Sequence, residues 1–523
     1  MPARTNSKSR SRSRGRTKSA SQSKAVASTQ KNGSSKARKS RSISPPNIVD
    51  DSMSVRVSRR IQDKIQRELS TSISSDHSPG DMVRKSLKIT ETKVEKVEKK
   101  PFNSPAKEVH SEPIAFGGAV GGAALTIFLP LVVYALVIAC DKSNGCRHDR
   151  IPFIPKRWQQ YFDVKIFGVV LGWYVFQAML ALIPLGPVVK GQVLRDGRRL
   201  NYRCNGLLAL LVTVCVFALL YFLKYDMSYV YQHWLQFVTA SIFLSFVLAV
   251  FLYVKALNAP AKDHAPESTG SMFNDFFMGL ELNPRIGNLD LKFFFELRPG
   301  LIGWMLIDWS LCASQMRADG SVHPALFLVT LFQTIYVLDA LKNESSILTT
   351  MDITTEGFGF MLAFGDLAWV PCLYSLQAYY IYTYPQHAVS NPYALGAICL
   401  LEIIGLVIFR GANSQKDQFR NNPNNPAVAH LKTIPTATGK KLLVSGYWGL
   451  CRRPNYFGDL LMATAWSLTC GFVHLLPYFY PIHFFILLSH RQMRDEAYCK
   501  QKYGAAWEKY CHAVPCRLIP YIF

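Results

Sequence analysis

The sequence IAFGGAVGGAALTIFLPLVVYALVIAC, at residues 114–140, holds no charged side chain over 27 positions. A helix of about 20 apolar residues crosses the hydrocarbon core of a bilayer, so this run is long enough to span it with some tilt. Its early glycines, Gly117, Gly118, Gly121 and Gly122, repeat at four-residue spacing, which favours close packing against a second helix. The run therefore predicts a membrane-spanning helix.

Further apolar runs follow along the chain. They are centred near residues 175, 215, 243, 305, 330, 370, 400, 465 and 482. Together with the 49% content of hydrophobic residues, they predict an all-α polytopic membrane protein with about ten transmembrane helices over residues 113–523. The N-terminus has no apolar core of the signal-peptide kind, so the first span is expected to act as the targeting signal.

Residues 1–112 have the opposite character. Residues 1–60 contain 16 Lys and Arg residues against two acids, and Ser-Arg dipeptides repeat over residues 9–14. Few large apolar side chains are present to offset the entropy lost on ordering, so the segment is predicted to be a disordered basic tail. Its charge predicts binding to DNA or RNA phosphates, tuned by kinases that act on the Ser-Arg stretch. The alternative is a solvated linker that only sets membrane orientation.

The 12 cysteines are scattered, with no Cys-x-x-Cys pair and no Cys/His cluster at zinc-finger spacing. Several lie in or beside apolar runs, as Cys140 and Cys215 do. The sequence predicts reduced thiols that pack as small apolar side chains, and it predicts no metal site.

The stretch LLVSGYWGLCRRPNYFGD, residues 442–459, lies between apolar runs but carries two arginines, an Asn-Tyr pair and an Asp. Such groups cannot face lipid, because unpaired polar groups in hydrocarbon cost several kcal/mol each. With the basic segments 410–420 and 490–510 beside it, it predicts an anionic-cofactor site at the membrane surface. Residues 410–453 hold eight Lys and Arg against one acid, so the positive-inside rule places this site and the tail on the same, cytosolic or nucleoplasmic, side.

Two groups of side chains are candidates for binding the anion. Lys416 and Arg420 stand four residues apart and would share one helix face. Trp448 offers a flat ring, and Asn455 and Tyr456 offer directed hydrogen bonds. A solvated basic surface and a belt of interfacial aromatics are the alternatives.

A third group follows an apolar run at residues 490–510. On a helix, Arg491, Asp495, Cys499 and Lys502 would share a face, and Tyr510 could turn back toward it. An Arg-Asp pair that orients a phenol is a plausible proton-delivery unit. A membrane-proximal helix with ordinary ion pairs is the alternative. Acids inside or beside the apolar runs are further candidates, with interhelical packing bonds as the alternative. These acids are Asp308, Asp339, Glu356, Asp366 and Glu402.

Several motifs resemble the sterol reductase family of ten-span membrane enzymes, which includes delta-14-sterol reductases, 7-dehydrocholesterol reductase and the lamin B receptor. The chain is most similar to the lamin B receptor group. The motifs are GSMFNDFFMGLELNPR at 270–285, GFGFMLAFGDLAWVP at 357–371, FRGANSQK at 409–416, HLLPYFYPIHF at 474–484 and CKQKYGAAWEKYC at 499–511.

The resemblance implies reduction of a sterol C14–C15 double bond by NADPH bound within about 410–523, with reduction of the 7-ene as the alternative. A protein acid would protonate carbon 15, and hydride would reach carbon 14. Residues implied in catalysis are Arg491, Asp495 and Tyr510. Residues implied in NADPH binding are Lys416, Arg420, Leu443, Trp448, Asn455, Tyr456, Asp495, Cys499, Lys502, Tyr503 and Tyr510. The sequence departs from the family at Asn274, usually Tyr, at Tyr447, usually Trp, and at Arg453, usually His.

The resemblance also implies a place in the cell. It indicates the inner nuclear membrane and the endoplasmic reticulum membrane, with the tail nucleoplasmic or cytosolic. Lamin B and chromatin would bind residues 1–60, while sterol and membrane lipid would contact the spans. A competing hypothesis is a catalytically inactive tether of lamina and heterochromatin.

Overall fold

The computed structural model describes residues 115–266 and 268–523. The predictions for residues 1–112, including the basic tail and its phosphorylation, lie outside the described residues. The described part is mostly helical, and five of its helical segments are long and apolar enough to cross a membrane. These segments are Gly118–Ala139, Trp158–Leu182, Trp234–Leu257, Pro324–Lys342 and Pro392–Asn421. A polytopic membrane fold is therefore confirmed.

The helices and strands of the described residues follow the apolar runs and the loops between them. The α-helices are α1 Gly118–Ala139, α2 Val164–Leu182, α3 Gly206–Phe222, α4 Tyr229–Gln232, α5 Trp234–Leu257, α6 Met272–Met278, α7 Leu291–Leu297, α8 Pro299–Asp319, α9 Pro324–Lys342, α10 Met351–Thr354, α11 Phe360–Phe364, α12 Val370–Leu373, α13 Leu376–Thr383, α14 Pro392–Asn421, α15 Pro426–Ala429, α16 Pro454–Leu468, α17 Phe479–Tyr503 and α18 Ala505–Ala513. The strands are β1 Val188–Val193, β2 Arg199–Arg203, β3 Arg285–Ile286, β4 Leu289–Asp290, β5 Thr433–Pro435 and β6 Lys441–Leu443.

Local signals in the sequence set where the long helices begin. The side chain of Asp163 caps α2 by accepting from the backbone N–H of Lys165, and Asn391 caps α14 just before Pro392. A cap of this kind satisfies backbone donors that the first turn leaves free, and proline suits the first helical position. On α5, Phe243, Val247, Val250 and Val254 are half exposed along one stripe, as expected of a helix face that meets lipid.

The all-α prediction missed three antiparallel hairpins. β1 pairs with β2, β3 with β4, and β5 with β6, each as a two-stranded sheet. They lie in the polar segments between apolar helices. The hydrogen bonds within each short hairpin satisfy the backbone N–H and C=O groups of its own strands.

The apolar run near residue 370 is not one regular helix. It is divided into α11, a π-helical segment at Gly365–Trp369, α12 and α13. Pro371 lacks an N–H, and a π-bulge widens the turn, so both interrupt the regular helical ladder. Asp366 lies inside this π segment.

Backbones meet closely where this broken run begins. A Cβ atom built on Gly357 would lie 1.9 Å from the carbonyl oxygen of Gly279, and Gly279 itself has a φ of +97°. A side chain at either position would displace the backbone. This contact ties the motif at 270–285 to the motif at 357–371.

Side-chain bonds group the connecting segments at two ends of the helices. We call residues 183–205, 258–298, 343–359, 410–453 and 490–523 the charged end. Bonds such as Arg285 to the Asn201 carbonyl (3.0 Å) and Arg491 to Asp352 (2.5 Å) join these segments. Among the described residues, every salt bridge except Arg147–Asp149 lies in or beside them.

We call residues 140–163, 223–233, 320–323, 384–391 and 469–478 the aromatic end. The hydroxyl of Tyr384 donates to the Asp141 carbonyl (2.7 Å), and Tyr380 on α13 bonds His474 (2.8 Å). Cys140 and Cys146 form a disulfide here, so the prediction that all cysteines are reduced is wrong for this pair. They are six positions apart in the sequence, and the turn after α1 brings them together. The other ten cysteines are free.

Candidate cofactor and catalytic site

Arg453 stands at the centre of the candidate site. It immediately precedes α16 and is buried, with 9% of its surface exposed. Its guanidinium forms a salt bridge with Asp495 on α17 and also donates to the Arg452 carbonyl (2.9 Å). The sequence analysis recorded Arg453 only as a departure from the family. In the structure, Arg453 is the ion-pair partner of Asp495, a predicted site residue.

The two arginines of the CRRPNY stretch have different environments. Arg452 donates to Glu496 (2.8 Å) and to the backbone carbonyls of Val514 (3.0 Å) and Pro515 (3.2 Å). It therefore attaches the C-terminal segment to α17. Arg453 faces the predicted site residues instead.

Lys416 and Arg420 lie in the C-terminal part of α14 and approach the same residues. Both lie within electrostatic range of one another, and Lys416 also lies within range of Arg453, Asp495 and Cys499. The Lys416 ammonium is 4.6 Å from the centre of the Trp448 ring, a cation–π distance. Three cations thus meet one carboxylate, and the local excess of positive charge favours an anion.

Trp448 is held by the loop that follows β6. Its indole N–H donates to the Ala412 carbonyl on α14 (2.9 Å), and it packs with Leu443 in a small apolar cluster. Gly446 has a φ of +66°, and a Cβ there would lie 2.5 Å from Gln415. The amide oxygen of Gln415 accepts from the Tyr447 N–H (3.1 Å). Glycine at 446 lets this loop close onto α14.

Asn455 and Tyr456 open α16 beside Arg453. The Oδ1 atom of Asn455 is buried and has no hydrogen-bond partner among the described residues. Tyr456 lies within electrostatic range of Arg453, Asp495, Arg491 and Asp352. An orphaned buried amide oxygen costs free energy unless a ligand or water satisfies it.

Aromatic rings from α17 and α18 form a second wall. Trp507 stacks on Tyr510 (4.9 Å between ring centres) and on Tyr503 (6.5 Å). Burial raises the pKa of the Tyr510 phenol to about 12, although the charges of Arg453 and Arg452 oppose this. The phenol therefore stays protonated at neutral pH and can donate a hydrogen bond.

Lys502 lies at the exposed rim of the site. Its ammonium donates to the Tyr498 hydroxyl (3.3 Å), and it lies within electrostatic range of Lys440. Lys440 is also within range of Arg420, and the sequence analysis had counted it only as loop charge. The rim thus adds two cations to Lys416, Arg420 and Arg453.

The predicted pairing of Arg491 with Asp495 is wrong. Arg491 forms its salt bridge with Asp352 (2.5 Å), whereas Asp495 pairs with Arg453 and accepts weakly from the Cys499 thiol (3.9 Å). One helical turn separates Arg491 from Asp495, but segments from outside α17 supply nearer partners. Asp352 carried no signal in the sequence beyond its place after a polar loop.

Asp352 belongs to a charged cluster that the sequence analysis identified only through Glu356. Glu356 pairs with Arg494 on α17 (2.6 Å). Lys292 on α7 is fully buried, and its ammonium donates to the backbone carbonyls of Asp352 (2.5 Å), Glu356 (2.7 Å) and Ile353 (3.3 Å). We call Lys292, Glu296, Asp352, Glu356, Arg491 and Arg494 the acid cluster. Through Asp352 and Tyr456 it adjoins the cations around Arg453.

Of the remaining candidate acids, one forms an interhelical ion pair, and three have buried oxygens without a hydrogen-bond partner among the described residues. Asp339 on α9 pairs with Arg410 on α14 (2.8 Å), as the packing alternative predicted. Asp308 is fully buried, and neither of its carboxylate oxygens has a hydrogen-bond partner among the described residues. One carboxylate oxygen of Asp366 and one of Glu402 are also buried without a hydrogen-bond partner among the described residues. Such groups are functional candidates inside a membrane domain.

Asn274, another of the departures, lies on α6 and is buried. Its amide donates to Asp275 (3.3 Å), which accepts from the N–H groups of Thr269 (3.0 Å) and Gly270 (3.1 Å). These bonds shape the loop before α6.

The residues around Arg453 fit a phosphorylated dinucleotide. Such a ligand needs cations for phosphates, flat rings for its base and ring systems, and an amide partner. Lys416, Arg420 and Arg453 supply the cations, and Trp448 supplies a ring. The Asn455 oxygen is the unmet hydrogen-bond acceptor.

Comparison with known proteins identifies the family of the chain. The sequence model of the Ergosterol biosynthesis ERG4/ERG24 family matches residues 117–523. The chain belongs to this family. The match covers the whole described part of the chain except its first two residues.

Individual relatives give the same result. The chain is 50% identical over 410 residues to a Gallus gallus protein named Delta(14)-sterol reductase LBR, covering 77% of this chain and 63% of that one. It is 48% identical over 419 residues to Delta(14)-sterol reductase TM7SF2 of Mus musculus, covering 80% of this chain and 100% of that protein. It is 43% identical over 414 residues to Delta(14)-sterol reductase erg24 of Schizosaccharomyces pombe, covering 78% and 97%. The predicted family and class, a sterol reductase enzyme, are confirmed.

Proposed function

We propose that the protein reduces the C14–C15 double bond of a sterol, with NADPH bound around Arg453. The observation that carries the proposal is the meeting of Lys416, Arg420 and Arg453 with Trp448 and a single carboxylate, Asp495. The names of the relatives favour the 14-ene over the 7-ene as substrate.

Each predicted residue has a role in this proposal. Lys416, Arg420 and Lys502 hold the phosphates, and Asp495 keeps Arg453 in place among them. Leu443, Trp448 and Tyr503 supply apolar and aromatic contact, while Asn455 and Cys499 line the pocket. When bound, NADPH supplies the hydride equivalent for the reduction.

Proton delivery belongs to the side of the site that faces the acid cluster. Arg491, ordered by Asp352, orients Tyr456 electrostatically, and Tyr510 donates a hydrogen bond from the opposite wall. Such a network positions polar groups without flexible loops. The sterol would reach it from the bilayer.

We also propose ten membrane crossings for residues 113–523. α1, α2, α3, α5, α8, α9, the broken run of α11 to α13, α14, α16 and α17 would alternate between the aromatic and charged ends. The excess of Lys and Arg at the charged end supports its placement toward the cytosol or nucleoplasm. The disulfide at the aromatic end is compatible with an oxidising lumen on the other side. The endoplasmic reticulum and inner nuclear membrane have this arrangement.

A second function is favoured by the charge of residues 1–60. Sixteen Lys and Arg residues against two acids suit chromatin and DNA phosphates, and we propose that this tail also contacts lamin B. Kinases acting on the Ser-Arg stretch would weaken the contact. Deleting residues 1–60 should abolish salt-sensitive DNA binding and leave sterol reduction unchanged. Unaltered DNA binding would contradict this role.

The reductase proposal is tested in cells that lack delta-14-sterol reductase. Expression of the protein should remove the accumulated 14-ene sterols, read by mass spectrometry. Arg453→Met should fail to do so at normal expression, whereas Lys509→Met, which changes an exposed cation on α18, should restore the sterol profile. Persistence of 14-ene sterols with correctly placed wild-type protein would leave the inactive tether as the function.

A further inference from the structure

Reduction of an isolated double bond consumes a proton, and the acid that supplies it must be protonated at neutral pH. The acids closest to the cofactor cations do not meet this condition. Asp495 is paired with Arg453, and Asp352 with Arg491. A guanidinium partner keeps a carboxyl ionised. The Tyr510 phenol, with a pKa of about 12, is a weak acid.

Glu296 on α7 is in a different condition. Its Oε2 atom is enclosed and has no hydrogen-bond partner among the described residues, while other parts of the side chain keep intermediate exposure. The groups that act on it electrostatically come from four elements: Lys292 on α7, Asp352 on α10, Asp366 in the π segment and Arg491 on α17. A carboxylate with an unsatisfied buried oxygen is costly, whereas a neutral carboxyl is not.

Lys292 lies one turn before Glu296 and would be its natural partner. The ammonium of Lys292 has three N–H donors, and three backbone carbonyls already accept from it, those of Asp352, Ile353 and Glu356. Arg491 is engaged with Asp352. Lys292 therefore has no N–H left for Glu296, and the Oε2 atom of Glu296 has no hydrogen-bonded counterion among the described residues.

We propose that Glu296 is held as a neutral carboxylic acid and is the source of the proton that the alkene reduction consumes. The proposal rests on the function proposed above. Asp352 lies within electrostatic range both of Glu296 and of Tyr456, so the acid cluster links Glu296 to the cofactor side of the site. Asp366 in the π segment, another acid with an orphaned oxygen, lies within electrostatic range of Glu296.

The balance of the reaction follows from this assignment. The O–H bond of Glu296 breaks, and its proton forms a C–H bond with the electron pair of the double bond. The other alkene carbon receives a hydride equivalent from the reduced dinucleotide, which leaves oxidised. Glu296 remains as a carboxylate and is reprotonated from water at the charged end.

The electrostatics of Glu296 support a protonated state. Burial raises its pKa well above the ordinary value, and Asp352 and Asp366 raise it further, while Lys292 and Arg491 oppose the shift. A carboxyl with a raised pKa keeps its proton to a higher pH than usual and loses it as the pH rises through that pKa. Turnover is therefore expected to be constant at low pH and to fall as the pH rises through the pKa of Glu296.

The test uses the full-length protein in detergent with NADPH and a 14-ene sterol. Glu296→Gln removes the acidic proton at equal size and should lower turnover by about 100-fold or more. The dissociation constant for NADPH should stay within about twofold, because Glu296 lies outside the cation group. Glu281→Gln is the matched control, since Glu281 is a buried acid paired with Lys255 (2.6 Å); its turnover and pH profile should match the wild type.

A second readout does not depend on turnover. The infrared C=O band of a protonated carboxyl should be present in wild-type protein at neutral pH and diminished in Glu296→Gln. Should Glu296→Gln not fold, Glu296→Asp keeps an acid on a shorter side chain and should retain partial activity with a shifted pH profile. Wild-type turnover with an equally active Glu296→Gln, or an unchanged pH profile in Glu296→Asp, overturns the proton assignment alone. Absence of turnover in the wild type overturns the proposed function instead.

Discussion

The charged end and the aromatic end of the helices are held together by different chemistry. At the charged end, buried or partly buried arginines pair with acids from distant segments, as in Arg298–Glu344 (2.5 Å) and Arg491–Asp352. At the aromatic end, phenols and imidazoles bond each other and backbone carbonyls, and one disulfide closes a turn. Removing one partner of a buried ion pair leaves the other charge uncompensated and is strongly destabilising. A single neutral hydrogen bond contributes only about 1 kcal/mol. The charged end can bind anions, and single substitutions there are expected to be strongly destabilising. The aromatic end has neither property.

The largest effect should come from an unpaired charge at the charged end. Glu344→Gln leaves Arg298, which is 2% exposed, without its carboxylate, and weakens the bond from the Gly206 N–H (2.8 Å). We expect a loss of about 3–5 kcal/mol in the free energy of unfolding, measured in detergent. Arg147→Gln, in the exposed pair at the aromatic end, should leave stability unchanged. Equal effects would remove the distinction between the two ends.

The next effect concerns turnover. Asp495→Ala leaves Arg453 without its partner beside the cofactor, and we expect turnover to fall about 100-fold at near-normal expression. The comparison variant is Glu508→Ala, which removes an exposed acid from α18. Full activity of Asp495→Ala, measured by sterol product formation, would exclude Asp495 from the site.

A smaller effect should appear in binding alone. Lys416→Met keeps the apolar length of the side chain against Trp448 but removes its charge. The dissociation constant for NADPH should rise about tenfold, equivalent to about 1.4 kcal/mol, and depend less steeply on salt. Titration calorimetry at two salt concentrations measures both. Lys441→Met, at an exposed position, provides the comparison. An unchanged constant in Lys416→Met would place the phosphates elsewhere.

At the aromatic end a single deletion should be mild. Tyr380→Phe removes the bond to His474 and should cost about 1 kcal/mol of stability without changing turnover. Thermal unfolding and sterol reduction, measured on the same preparation, separate the two. A loss of turnover would show that this end is coupled to the charged end.

The smallest effect is a pH dependence confined to the aromatic end. Burial lowers the pKa of His474, and the charges of His387, Arg147 and His148 lower it further. The folded state then binds fewer protons than the unfolded state, so stability should decrease as the pH falls below about 6.5. His474→Asn should flatten the dependence of the unfolding temperature on pH. A steeper dependence in the variant would contradict the sign.

Features set by local sequence were the predictable ones. The charge-free run at 114–140 gives α1, and the spacing of Lys416 and Arg420 gives two cations on one face of α14. The four-residue rule also placed Asp495 beside Cys499. Each depends on helix geometry that a few neighbouring residues determine.

Features set by distant partners were not predictable in the same way. Arg453 and Asp495 are 42 residues apart, and Arg491 and Asp352 are 139 apart, so no periodicity relates them. Arg452 and Arg453 are adjacent and chemically identical, yet only the packing of α17 and α18 gives them different partners. Lys292 appears in the sequence as one charge in an apolar segment, and its three carbonyl acceptors lie on α10 or just after it, 60 to 64 residues later.

Helix α14 has a mechanical consequence. Its 30 residues extend about 45 Å, against about 30 Å for the hydrocarbon core of a bilayer. The same helix thus carries lipid-facing Ile403 and Val407 near its middle and Lys416 and Arg420 near its C-terminal end. A change in bilayer thickness that tilts α14 would therefore move both cations. The affinity of the protein for its anionic ligand should therefore differ between thin and thick membranes, with no change in the protein itself.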